Sequence, residues 1–355
     1  MIHTPPTVPR LSRRGALAWL AAAGLPGTCA AAVGPALDRP ALPVRNPMRA
    51  VLLGAALAGH RVVVVGERGL VIVSDDLRTW RQAQVPVSAN LTAVAFADPR
   101  VGYAVGHGGT VLGTTDGAAT WRRLLDGRRI AALMLEAARD SGNEAQVRAA
   151  ERMVTDGPDK PLLDLVVNGR SDVLAVGAYG LALRTKDGGE NWALANAHLD
   201  NPKSMHLYAV RRRDRTVLIA GEQGLLLRSD DGGQQFRKLS SPYQGSFFTA
   251  ELLDSQHMVA AGLRGNIWQS ADAGDSWKAT ANPVPASVTD SVLRPDGTLL
   301  LATQAGQVLD WRDGALARLD LPDLPPLSAV LALHGDALLA LSVEGLHVLS
   351  HKTAR

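Results

Sequence analysis

Cysteine is all but missing from this sequence: among 355 residues only position 29 holds one. A chain cut beyond Cys29 has no disulfide framework and no thiolate metal site, so packing alone must hold it together. The nine histidines form no H-x-H pair, no HExxH motif and no ladder with carboxylates, which argues against a dedicated metal site; nothing in the pattern calls for a cofactor. Aromatics make up 4% of the residues. Five of them recur at one position of a repeat, which leaves little surface for stacking bases or sugars. Charge of one sign is lacking too. Of 37 basic residues, Arg10, Arg13 and Arg14 lie in a leader without acidic residues, which leaves 34 basic against 34 acidic groups. That balance excludes the electrostatic footprint of a nucleic-acid binder or of a protein held to anionic lipid.

The leader, residues 1–32, has a charged head with Ser12-Arg-Arg, an apolar stretch from Ala16 to Leu25 and an A-x-A end at Ala30 to Ala32. This is the pattern of an export signal, similar to the twin-arginine type. The apolar stretch is about half of the roughly 20 residues that cross a bilayer, so no integral membrane segment is expected after its removal. Lipid anchoring at Cys29 is disfavoured, because Pro-Gly-Thr precedes it where a lipoprotein box carries leucine. The expected location is periplasmic or otherwise extracytoplasmic.

What the chain does have is a repeat. Gly69, Gly109, Gly180, Gly224, Gly265, Gly306 and Gly345 follow one another at intervals of 40, 71, 44, 41, 41 and 39 residues. Asp76, Asp116, Asp187, Asp231, Asp272 and Asp313 stand seven residues after the first six glycines. Trp80, Trp121, Trp192, Phe236 and Trp277 stand eleven or twelve after the first five. A period of about 40 residues with short apolar runs and glycine turns is how a propeller blade of four strands reads in sequence. The expected fold is therefore all-β: a seven-bladed β-propeller over residues 33–355. In each blade the Asp-Gly-Gly run falls between the third and fourth strands, where the carboxylate accepts backbone N–H bonds and glycine takes the left-handed conformation. The aromatic that follows covers the turn and fills the wedge between blades. Blade seven offers only Leu327 to Leu333, Ala337 to Leu341 and Leu346 to Leu349. An open edge there needs a strand, which residues from about Ala41 to Met48 are placed to lend.

Thr185-Lys-Asp-Gly-Gly-Glu-Asn-Trp192, Ser229-Asp-Asp-Gly-Gly-Gln-Gln-Phe236 and Ser270-Ala-Asp-Ala-Gly-Asp-Ser-Trp277 resemble Asp-box, or BNR, repeats. Gly102-Tyr-Ala-Val-Gly106-His-Gly-Gly-Thr-Val-Leu and Ala175-Val-Gly177-Ala-Tyr-Gly-Leu-Ala-Leu resemble the run preceding those boxes in the photosystem II stability and assembly factor family. The resemblance covers essentially the whole chain after the leader and is closest to a bacterial branch with a helical insertion before blade three. It implies a non-catalytic propeller that binds a protein partner and assists an envelope or membrane complex; a monomer is expected. The alternative is a sialidase-like hydrolase. That chemistry needs three arginines for the substrate carboxylate, an activated tyrosine and an acidic proton donor, and no Arg-Ile-Pro tripeptide announces it.

In a four-stranded antiparallel blade the turns between strands two and three share a face with the connections between blades. The residues between the paired glycines therefore form one ring, which varies where the framework repeats: Arg68, His107, Tyr179, Gln223 and Arg264 are its candidate partner contacts. Arg211-Arg-Arg213 reads as a solvated turn balanced by Asp214, or as a basic patch, in which case Arg211 joins those contacts. The long interval at about 126–160 holds a helical hairpin between blades two and three. Ile130, Leu133, Met134, Ala137 and Ala138 form one apolar stripe, and Val147, Ala150 and Val154 a weaker one. The hairpin emerges on the ring's face, and its stripe must be covered by the propeller or by the partner.

Overall fold

The apolar runs of five or six residues, cut by glycine turns, fold as antiparallel strands in a computed structural model that describes residues 34–312 and 314–350. The leader with Cys29, and Asp313, lie outside the described residues. Pro35–Arg355 forms one unit. Its strands make six sheets of four and one of three, each in sequential order. Blade one is typical, with Leu52–Ala58, Arg61–Gly66, Val71–Ser74 and the short outer strand Arg81–Gln82. First strands of neighbouring blades lie side by side around an axis, and that of blade seven, Leu327–Ala332, meets Leu52–Ala58 to close the ring. Second and third strands are buried on both faces between stacked sheets, which explains their unbroken apolar sequences.

All seven inner strands share one irregularity that the sequence did not announce. Directly after its first paired residue each register shifts by a bulge, as between Leu52 and Gly54, Leu207 and Ala209, and Val288 and Asp290. A bulge leaves one residue unpaired and re-aims its side chain.

Two expectations need correction. Residues 41–48 do not form a strand beside blade seven. Residues 41–44 run instead along blade one, where Ala41 N–H donates to the Val85 carbonyl, and the Gln82 amide bonds both the Leu42 carbonyl and the Val44 N–H. Only the end of the segment, Pro47–Arg49, reaches blade seven, where the Met48 carbonyl lies against Gly345 without strand pairing. Gly345–Ser350 therefore pairs only with Ala337–Ser342 among the described residues. The second correction is to the membership of the hairpin's stripes, not to the hairpin, whose helices α1 (Gly127–Asp140) and α2 (Glu144–Asp156) are capped by the Asp126 carboxylate and the Asn143 amide oxygen. Ile130, Ala131 and Ala138 are buried and Leu133 and Met134 pack into the wedge of blades two and three, whereas Ala137 and Val154 are exposed. The propeller itself covers most of the α1 stripe.

Candidate partner-binding face

The turns Glu67–Gly69, His107–Gly109, Ala178–Gly180, Glu222–Gly224 and Leu263–Gly265 lie on one face, because each is tied to the starts of inner strands. Glu67, His107 and Ala178 donate their N–H groups to the carbonyls of Val51, Asn90 and Pro161. The next residue reaches across to the following blade: Arg68 N–H to Asn90 Oδ1 at 2.9 Å, Tyr179 N–H to His206 Nδ1 at 2.7 Å, Arg264 N–H to Ser287 Oγ at 3.1 Å. Bonding in both directions forces the middle residue of each turn into the left-handed region: φ is +53° at Arg68, +57° at Tyr179, +53° at Gln223 and +57° at Arg264, with Gly108 at +65° in blade two. Arg68, His107, Tyr179, Gln223 and Arg264 are all exposed. The helical hairpin stands on the same face: Gly127 is so close to the Gly108 carbonyl and Pro158 that no Cβ would fit.

Beside the hairpin the sparse aromatics are gathered rather than scattered. Lys160 Nζ lies 4.9 Å above the Tyr179 ring. Tyr179 meets His206 edge-on at 4.9 Å, and His206 leads to Tyr208, which packs edge-on against Phe248 at 5.3 Å. Tyr208 and Phe248 are residues re-aimed by the bulges, and with Leu53, Thr92, Leu163, Thr289 and Ser328 they ring the mouth of a central cavity of about 520 Å³. Sequence reasoning missed this track. Its only signal is that Tyr208 and Phe248 each follow the first residue of an inner strand.

Arg211 is not on this face, and it is not in a turn. The inner strand of blade four runs through it, as Leu207–Arg213. Its guanidinium lies in the channel between three carboxylates: Asp164 at 2.6 Å, Glu251 at 2.9 Å and Asp290 at 3.4 Å. Burial alone would lower the arginine's pKa, but the three carboxylates outweigh it and hold the group charged. One cation cannot balance three anions shielded from bulk water. Burial therefore raises Glu251 despite Arg211, and pushes Asp290 up to about 7. Asp164 and Asp290 also accept the backbone N–H groups of Val210 and Val330, so the cluster ties blades three to seven around the axis. The one arginine of this cluster, Arg211, is taken up by carboxylates from three other blades.

The Asp boxes occupy the opposite face, against the turns between strands one and two, where Gly117, Gly188 and Gly232 donate to carbonyls of Arg100, Ser171 and Arg215. Each carboxylate is used inside its own turn. Asp231 Oδ1 accepts from Gln234 and Gln235 N–H at 2.8 and 3.1 Å and from Ser229 Oγ at 2.7 Å. Asp76, Asp116, Asp187 and Asp272 repeat the pattern with Ser74, Thr114, Thr185 and Ser270. Those hydroxyls two residues upstream were overlooked, although all five copies carry one. Hydrogen bonds hold the carboxyls of Asp76, Asp187 and Asp272 down at about 2, led by the N–H of Thr79, the N–H of Asn191 and the hydroxyl of Ser276. Trp80, Trp121, Trp192, Phe236 and Trp277 fill the wedges as expected.

A profile of the family described as photosynthesis system II assembly factor YCF48 matches residues 72–156 and 144–309, more than half of the chain. YCF48 from Cyanidioschyzon merolae has a similar structure at 16% identity, with a TM-score of 0.65 over 87% of this chain and 97% of that one. A YCF48 bound to D1 peptide aligns at 17% identity and TM-score 0.64, over 89% and 99% of the two chains. The WD40 propeller domain of Doa1 aligns at 14% identity and TM-score 0.63, over 90% and 98%. At these identities the structural likeness shows the fold alone. No curated protein matches the sequence significantly.

Proposed function

The chain belongs to the photosynthesis system II assembly factor YCF48 family, and from that premise we propose that it is an exported binding propeller without catalytic chemistry. It holds a protein partner on the face that carries the ring turns and the helical hairpin, and so assists assembly or stability of an envelope membrane complex. One observation carries this reading. Arg68, Tyr179, Gln223 and Arg264 each sit in a left-handed conformation, which costs a residue with a side chain roughly 1 kcal/mol or more. Gly108 occupies the matching place in blade two, so glycine serves the turn. Of the left-handed residues with side chains in the Asp boxes, Leu77 packs into a wedge and Ala118 is buried, and the third, Ala273, carries only a half-buried methyl group. The ring residues are exposed and none of them packs into a wedge, Tyr179 meeting Lys160 and His206 at the surface.

The D1 peptide on a YCF48 relative supports a partner that offers an extended segment, and the track from Tyr179 to Phe248 supplies apolar surface beside the charged turns. Affinity capture from the cell envelope, with the chain as bait and identification of bound proteins by mass spectrometry, tests the proposal. One envelope protein complex recovered by wild type and missing with Tyr179→Ala/Arg264→Ala is the expected result. Equal recovery by both would place the binding face elsewhere.

A further inference from the structure

The wedge between blades six and seven is built unlike the other six. Each of the others holds a large aromatic: Trp80, Trp121, Trp192, Phe236, Trp277 or Trp311. The six–seven wedge is aliphatic, with Leu300, Val308, Leu327 and Leu338 at its centre. In copies one to five the plug is the residue that leads into the blade's own fourth strand, and among the described residues blade seven has neither that strand nor a plug.

Both walls of this wedge hold buried polar atoms without a hydrogen-bond partner. Asp310 Oδ1 and Arg294 Nε belong to blade six, and His347 Nε2 to blade seven. Side chains alternate along a strand, so Asp310 shares the face of Val308, and His347 that of Leu349, both of which pack in this wedge. Arg294 is 5% exposed and donates to the Ala337 carbonyl of blade seven. Elsewhere such orphans are, apart from Thr280 Oγ1, all indole N–H groups.

The neighbouring edge is unguarded. Gly345-Leu-His-Val-Leu-Ser350 contains no lysine, arginine, carboxylate or proline, and Val348 is 43% exposed. Natural sheet edges normally carry such residues to prevent pairing with another chain. Met48 and Arg49 meet only its start, at Gly345, and residues 41–44, which would have to continue along it, are bonded to blade one.

We propose that the open edge of blade seven is a strand-addition site. Its occupant is an extended segment of the protein partner with an aromatic residue directly before a short strand. The strand pairs with Gly345–Ser350 as the fourth strands do in the other blades, and the aromatic plugs the six–seven wedge, where an indole N–H or phenol O–H donates to Asp310 Oδ1. This rests on the partner-binding reading above, because the partner supplies the strand.

The test uses the full chain and a labelled peptide with the sequence of residues 275–281, Asp-Ser-Trp-Lys-Ala-Thr-Ala, the lead-in and fourth strand of blade five. Fluorescence anisotropy should show saturable binding, weakened about tenfold or more when the peptide's tryptophan is replaced by alanine, since a hydrophobic plug is worth well over 1.4 kcal/mol. Val348→Pro in the protein should weaken it similarly. Val348→Lys, which keeps the strand and adds an edge charge, covers the case in which the proline variant misfolds. Hydrogen exchange at Gly345–Ser350 should slow on adding peptide. Absence of binding, or binding indifferent to both Val348 variants, overturns the site. So does slow exchange of this edge in the free monomer, which would mean that the chain's own end fills it, or a dimer abolished by Val348→Lys, which would make a second copy the occupant. Loss of envelope capture in the ring variant with no peptide binding would leave the proposed function standing and remove this site alone.

Discussion

The two faces of this propeller are made of the same kind of object, a glycine turn repeated from blade to blade, and they use their side chains in opposite ways. In an Asp box the carboxylate finds its partners inside the turn: Asp231 takes two backbone N–H groups and the Ser229 hydroxyl. In a ring turn the backbone is satisfied by neighbouring strands, and the apex side chain is left exposed in a strained conformation. The contrast extends to single residues. Arg211 and Arg264 are both arginines set on repeated elements, an inner strand and a ring turn, yet one is bound by three carboxylates in the channel and the other is exposed. Repetition alone does not separate structural from functional residues; what the fold consumes and what it leaves over does.

The largest break in that contrast should come from Arg211→Met. Removing the cation leaves Asp164, Glu251 and Asp290 facing one another, and breaking a buried ion pair typically costs about 3–5 kcal/mol. The arginine side chain is 23% exposed to the channel, so the lower end is expected in urea unfolding at pH 7. The loss should shrink at pH 5, where Asp290, raised to about 7, is protonated. Next in size is a pH effect. Asp290, at about 7 in the folded chain, binds a proton there that the unfolded chain, near the usual carboxylate value, releases. Stability attributable to it is therefore greatest below about pH 4, falls as pH rises towards 7 and is constant above. Asp290→Asn should abolish that decline when stability is followed between pH 4 and 8. The box carboxyls at about 2 act in the reverse sense: their contribution is present above pH 4 and is lost as pH falls through 2. Smaller again is Asp231→Ala, which should lower stability by about 1 kcal/mol, by comparison with helix caps. Capture of the partner below the melting temperature should not change.

The blades were legible because glycine, aspartate and aromatic keep register to the residue, and the strands expected at Leu327 to Leu333 and Ala337 to Leu341 fall on Leu327–Ala332 and Ala337–Ser342. The ring positions were legible from topology alone. Arg211 was not, because three consecutive arginines look solvated, and their carboxylate partners lie about 40 residues away or more along the chain, on other blades. The channel mouth was hidden by the bulges, which shift side-chain direction without leaving a mark in the apolar pattern. Counting strands revealed that blade seven lacks one, but could not tell that Gln82 would hold the expected donor segment at blade one.

The smallest change in stability should accompany the largest change in binding, and that pairing is the most direct test of the account. Tyr179→Gly/Arg264→Gly relieves two left-handed side chains, so urea unfolding should show stability unchanged or raised by up to about 1 kcal/mol. Affinity capture with the same variant should lose the envelope partner that wild type recovers. Undiminished capture by this folded variant would contradict the claim that the strained ring residues are kept for binding.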